Sequence, residues 1–182
     1  MNLFYSIISL EDQPQADPLM SLGGFVSSSQ VPSGRTNALF STISSYTIQQ
    51  GREQYVCLIL RNTTKKTASG IKFWFQFDPS QAYICKYRVA FTEAVDREFE
   101  STPDPFSKPV YAQFESCNGI DEAMALPDLE PDEMIGIWVE RSIDKTSEEL
   151  SNRNNCEWLF ENRDREIETE ETLDIKIDFN FL

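Results

Sequence analysis

Leu173–Phe181 reads LDIKIDFNF, with Leu173, Ile175, Ile177, Phe179 and Phe181 alternating against Asp174, Lys176, Asp178 and Asn180. Successive side chains of an extended chain point to opposite faces. An unbroken period of two therefore predicts a strand with one buried and one wet face.

The same period recurs upstream. In Ile71–Phe77 (IKFWFQF), Ile71, Phe73, Phe75 and Phe77 oppose Lys72, Trp74 and Gln76. Ala82–Phe91 sets Tyr83, Cys85, Tyr87, Val89 and Phe91 against Lys86 and Arg88. Met134–Ile143 (MIGIWVERSI) places Ile135, Ile137, Val139, Arg141 and Ile143 on one side and Met134, Gly136 and Trp138 on the other. Gln54–Leu60 (QYVCLIL) is almost continuously apolar, the pattern of a strand covered on both faces. Pro109–Glu115 and Cys156–Phe160 are shorter apolar stretches, the first a candidate strand. Asp78–Pro79–Ser80 and Leu129–Glu133 carry turn signals, and Asn118–Asp128 has room for one helical turn. Glu93–Pro109, Asp144–Asn155 and Glu161–Glu171 read as polar or charged connections. No amphipathic run reaches three helical turns. Strands separated by turns predict an all-β chain, an antiparallel β-sandwich of immunoglobulin-like or jelly-roll-like arrangement.

The first forty-odd residues have a different texture. Met1–Ser9 can form a short strand, but Glu11–Pro18 is polar and Ser21–Gly34 is rich in Ser and Gly. This composition predicts a long loop or extended arm, with Gly23–Gly24 at a sharp turn ahead of Phe25. Leu39 and Phe40, in Asn37–Ile43, are the expected anchors of that arm on the core. The expected division is therefore 1–45, an N-terminal strand and arm, and 46–182, the sandwich. On that division, removal of Met1–Ser33 leaves the sandwich folded.

Bulk composition narrows the partners. The 182 residues are 40% hydrophobic and 12% aromatic, with 13 Phe, a composition that excludes wholesale disorder. A formal charge of −14 disfavours phosphate backbones and anionic membranes, and would steer a basic protein surface toward the chain. No apolar run approaches the ~18–20 residues of a membrane span. Acidic Glu11 and Asp12 directly after Met1–Leu10 argue against a signal peptide.

Candidate chemistry is sparse. There is no His, and Cys57, Cys85, Cys117 and Cys156 form no CxxC pair, so neither a zinc site nor an imidazole-assisted nucleophile is expected. The cysteines at 57 and 85 lie in apolar strand patterns and read as buried hydrophobes of a reducing compartment. The carboxylates Glu166, Glu168, Glu170 and Glu171 belong to a charged run, the pattern of a solvated face. Asp121, Glu122, Asp128, Asp132 and Glu133 bear the right donors for calcium but lack the spacing of a dedicated loop. No enzymatic activity, cofactor, metal or small-molecule substrate is expected. Trp74 stands apart: it shares a face with Lys72 and Gln76, where it would serve a subunit contact or a sugar-binding platform unless that face is covered.

Four motifs occur in fixed order over roughly residues 20–143: GGxxS at Gly23–Ser27, NxLF at Asn37–Phe40, GxxxYxCLxLxN at Gly51–Asn62, and IGIWxxR at Ile135–Arg141. Together they resemble small virion structural proteins of tailed bacteriophages, the immunoglobulin-like or related sandwiches of heads, connectors and tails. The resemblance implies a non-enzymatic protein made in the bacterial cytoplasm, residing in the virion and meeting other virion proteins or copies of itself. Gly23, Gly24, Phe25, Leu39, Phe40 and Trp74 are then the candidate interaction residues. A carbohydrate- or receptor-binding sandwich using exposed aromatics is the alternative.

Overall fold

The computed structural model describes residues 1–15, 17–33, 38–41, 51–77, 85–143 and 173–182. These residues form eight strands and no α-helix: β1 (Asn2–Ile7), β2 (Phe25–Gln30), β3 (Arg52–Arg61), β4 (Ala68–Phe77), β5 (Cys85–Thr92), β6 (Met124–Ala125), β7 (Met134–Ile143) and β8 (Leu173–Phe181). A five-stranded sheet runs β2-β1-β3-β7-β5 and a three-stranded sheet runs β6-β4-β8. Every strand pair is antiparallel. This is the all-β antiparallel sandwich expected from the alternations.

The two sheets meet over a core drawn from both. Val56, Leu58, Leu60, Ile135, Ile137, Val139 and Val89 of the larger sheet pack with Ile71, Phe73 and Phe75 of the smaller. Phe73 meets Phe91 edge-on at 5.5 Å between centroids, and Phe75 meets Tyr87 at 6.0 Å. The period of two in β4 thus buries Ile71, Phe73 and Phe75 completely, with Lys72 and Gln76 exposed behind them.

β3 is buried from Gln54 to Leu60, as its near-continuous apolar run requires. Its inner side chains join the main core, while Tyr55 and Cys57 pack with Trp138, Ala90 and Ala112 on the outer face of the larger sheet. Segment 93–115 covers that face. Burial pushes the Cys57 thiol up to about 12 and the Cys117 thiol likewise to about 12, with smaller contributions in the same direction from the Glu100 and Glu122 carboxylates.

The N-terminal segment departs from the expected arm. β1 lies inside the sheet between β2 and β3, pairing Asn2 with Arg61 through Tyr5 with Leu58. β2, expected as loop, pairs with β1 at the sheet edge. The pairing of β1 stops at Tyr5 with Leu58, which among the described residues leaves the first half of β3 without a strand neighbour on that side. Local groups take the vacant positions: the Cys57 N–H donates to Ser21 O at 2.7 Å and the Tyr55 N–H to Pro105 O at 2.8 Å. Buried Ser21 and Ser6 complete the junction. Ser21 Oγ donates to Cys57 O at 2.5 Å and accepts from Ser6 N at 2.7 Å, while Ser6 Oγ accepts from Gly23 N at 2.8 Å. A serine-rich stretch is used here to satisfy buried backbone rather than to form a solvated loop.

Of two shorter elements, the first differs from expectation and the second carries the expected helical turn. Pro109–Glu115 is not a strand; only Glu115 bridges to Val89. Asn118–Asp128 holds a single 3-10 turn at Ile120–Glu122, followed by the two-residue β6. The expectations for 78–84, for Asp144–Glu171, including Cys156–Phe160, and for Asn37 and residues 42–43 lie outside the described residues.

Candidate interaction surfaces

Gly23 and Gly24 solve a crossing problem. Segment 22–24 pairs with 99–102, with Gly24 and Phe99 exchanging both backbone hydrogen bonds at 3.1 and 2.7 Å. Both glycines have positive φ, 91° and 84°. A Cβ on Gly23 would lie 1.9 Å from Glu100 O, and one on Gly24 2.6 Å from Ile7 O. Only glycine allows the backbones to approach this closely.

Leu39 and Phe40 are buried in the main core, at 5% and 2% exposure. Arg141 reinforces them. Its guanidinium sits 4.6 Å over the Phe40 ring, donates to Ser41 O at 3.0 Å and grips Gln54 Oε1 through Nε and Nη2. Desolvation lowers the Arg141 pKa to about 10, so the group stays charged at neutral pH. Four of the six candidate interaction residues, Gly23, Gly24, Leu39 and Phe40, are thus buried inside the fold and have no surface to offer a partner. Phe25 is half-buried at the start of β2.

Trp74 is the exception. It is half-buried on the outer face of the smaller sheet, in line with exposed Lys72 and Gln76 and directly opposite Lys176 of β8. Asp174 and Asp178 flank it on the neighbouring strand, opposite Gln76 and Lys72. An aromatic ring framed by charged and amide groups can meet a protein or a sugar.

The proline-bearing loop after β5 builds a second surface. Val95 and Glu98 exchange backbone hydrogen bonds at 2.9 and 3.0 Å around Asp96 and Arg97, both at positive φ. That is a tight two-residue turn of the kind that closes hairpins. Arg97 turns back to Glu11 at 2.5 Å and to Asp132 at 3.6 Å, and Arg61 holds Asp132 at 2.5 Å. The Arg61 hydrogen bond keeps the Asp132 carboxyl below its ordinary range. Farther along, the Glu100 carboxylate accepts from the backbone N–H groups of Val110 and Tyr111. This clamp holds Val110 and Tyr111 outward at 81% and 82% exposure. A cleft of about 760 Å³ opens between Tyr111 and the hairpin turn, with Val95 at its wall and Glu93, Asp96 and Glu98 exposed around it.

Sequence reasoning found Trp74 but not this cleft. Val95, Val110 and Tyr111 are isolated apolar residues in a charged, proline-bearing run. Such residues have no strand period to carry them into a core, and that was the available signal.

Three of the carboxylates considered for calcium are engaged by other groups as follows. Asp132 is held by Arg61 and Arg97, Asp128 accepts from Gly70 N at 3.2 Å, and Glu122 accepts from Asn118 N at 3.0 Å. Among the described residues no three His, Cys, Asp or Glu groups converge as a metal site. No protein family, curated protein or solved structure matches the chain.

Proposed function

We propose that this chain is a non-enzymatic structural protein of a tailed-phage particle, joined to other particle proteins through its acidic cleft and strand edges. The observation that carries the reading is the loop surface at 93–111. There Val95 and Tyr111 stand in solvent around a cleft shared with Glu93, Asp96 and Glu98, and Val110 is exposed next to Tyr111. Exposed apolar groups are costly to leave in water unless a partner covers them, and a carboxylate frame selects a partner with basic side chains around an apolar centre. The charge of −14 would speed such an encounter and weaken it at high salt. The ordered motifs from Gly23 to Arg141, which resemble phage virion proteins, supply the setting.

Peptide mass spectrometry on purified particles tests the reading. The expected result is this chain at a constant copy number relative to the major head or tail protein. Its absence from particles overturns the proposal.

Trp74 favours a second reading, a glycan-binding module, because its ring is partly open among Lys72, Gln76 and Asp178. Quenching or shift of tryptophan fluorescence on glycan titration, lost in Trp74→Ala, would support that reading.

A further inference from the structure

Between Arg88 and Lys108 the chain has one cation, Arg97, and it sits inside the acidic run Glu93–Glu100 (EAVDREFE). Its neighbours Asp96 and Glu98 line the cleft together with Glu93, Val95 and Tyr111, but Arg97 does not. The guanidinium is turned the other way. Its Nε donates to Glu11 Oε1 at 2.9 Å and its Nη2 to the same oxygen at 2.5 Å, while its Nη1 lies 3.6 Å from Asp132 Oδ2. Arg61 extends the network, 2.5 Å from Asp132 Oδ1 and 3.6 Å from Asp12 Oδ1. Glu11, Arg97, Asp132, Arg61 and Asp12 thus form a row of alternating charge. The row joins the β1–β2 connection, the hairpin turn, the turn before β7 and the end of β3. Backbone strain gathers at the same place. The described non-glycine residues at positive φ are Asp12, Asp96, Arg97 and Asp132, at 58°, 52°, 68° and 69°. Three of them belong to the row. A two-residue turn of this hand favours glycine at its second position, where this chain carries Arg97. Strain tolerated at such a residue points to a use for its side chain.

The cleft owes its single sign to that orientation. Glu93, Asp96 and Glu98 are exposed, and Glu100 is committed to the Val110 and Tyr111 N–H groups. No Lys or Arg lines the cleft. An arginine flanked in sequence by Asp96 and Glu98 has two sets of carboxylates to choose from: Glu11 and Asp132 on one side, the cleft on the other. Its side chain is 46% exposed, so neither pairing is strong in itself and the nearer acceptors decide the outcome. We infer that Glu11 and Asp132 set the specificity of the cleft from outside it, by holding the Arg97 cation away so that an incoming basic segment meets carboxylates alone. With Arg97 turned inward, one positive charge would offset part of the local field and repel that segment.

This inference rests on the acidic cleft as the docking surface, and the test separates the two. The probe is the peptide acetyl-Lys-Leu-Lys-Leu-Lys-amide, titrated into the full chain at low salt and followed by NMR shifts. The native chain should bind it, and a chain with Glu93, Asp96 and Glu98 all replaced by Gln should not. Glu11→Gln with Asp132→Asn releases Arg97 and should weaken binding at least about threefold. Adding Arg97→Gln to that pair removes the released cation and should restore binding to within about twofold of native. A network that only braced the hairpin would leave this last variant as weak as the pair or weaker. Circular dichroism on every variant verifies that the sandwich is folded. A crystal structure of the pair gives a readout independent of the probe, with Arg97 expected against the cleft carboxylates. Arg97 still turned away in that crystal, native binding by the pair, or no recovery on Arg97→Gln overturns the inference. A native chain that ignores the probe, while Arg97 enters the cleft of the pair, overturns the docking surface alone.

Discussion

Deletion of Met1–Ser33 separates a detachable arm from an integral part of the sheet. The truncation removes β1 and β2, and with them the buried side chains of Phe4, Tyr5, Leu22 and Val26. At about 1.5–3 kcal/mol for each fully buried large apolar side chain, the direct loss is about 6–12 kcal/mol, an upper figure because unfolded chains retain some burial. Further costs follow. The deletion strips Leu58–Arg61 of their β1 partners, takes the Ser21 acceptor from Cys57 N–H, and uncovers Ile59. A whole domain is stable by only about 5–15 kcal/mol, so the truncated chain should not fold cooperatively. Urea titration followed by near-ultraviolet circular dichroism and tryptophan fluorescence provides the assay. The expected outcome is a flat or gradual response with no native near-ultraviolet signal. A truncated chain that keeps a sharp transition near the midpoint of the full chain would refute the placement of β1 and β2 in the sheet.

Other perturbations test smaller parts. Gly23→Ala combines a left-handed backbone with a Cβ 1.9 Å from Glu100 O, and should destabilise by more than the ~1–2 kcal/mol of the dihedral alone. Gly119→Ala, at φ 89° with nothing within 4 Å, should show only the dihedral part, and equal thermal shifts for the two would contradict the crossing. Trp74→Ala should cost about 1–2 kcal/mol in denaturant unfolding; a loss of 3–5 kcal/mol would mean a fully buried ring. Because Arg61 depresses the Asp132 carboxyl, its contribution is present above the ordinary carboxylate pKa and is lost as pH falls through the lower folded value. Melting curves of native chain and Asp132→Asn should accordingly differ at pH 6 and converge as pH falls below the ordinary carboxylate range, and a gap that widens on acidification would contradict the sign. With thiols raised to about 12, Cys57 and Cys117 should resist iodoacetamide in the folded chain at pH 8 and react after unfolding, as read by peptide mass spectrometry.

The fold was legible where one face is apolar and the other polar. Leu173–Phe181 and Met134–Ile143 are strands over the same residues that their alternation marks, and Ile71–Phe77 falls within β4. β2 was not legible. FVSSSQ has serines where a strand signal needs large side chains, because it is an edge strand whose Ser27 is buried beside β1. The N-terminal serines also serve one another: Ser6 and Ser21 cap backbone groups from distant segments, a role no local pattern encodes. Trp74 could be placed on the open face from its neighbours in sequence. The cleft at 93–111 could not, since it depends on the Glu100 clamp and on Arg97 reaching Glu11 across the fold.

The most direct measurement is carbodiimide cross-linking of intact particles with peptide-level mass spectrometry, which joins carboxylates to lysines in contact. The expected result is cross-links from Glu93, Asp96 or Glu98 to lysines of another particle protein, lost when all three are replaced by glutamine. Particles in which these carboxylates link only to lysines of the same chain, or in which the triple replacement assembles at the native copy number, would contradict assembly through the acidic cleft.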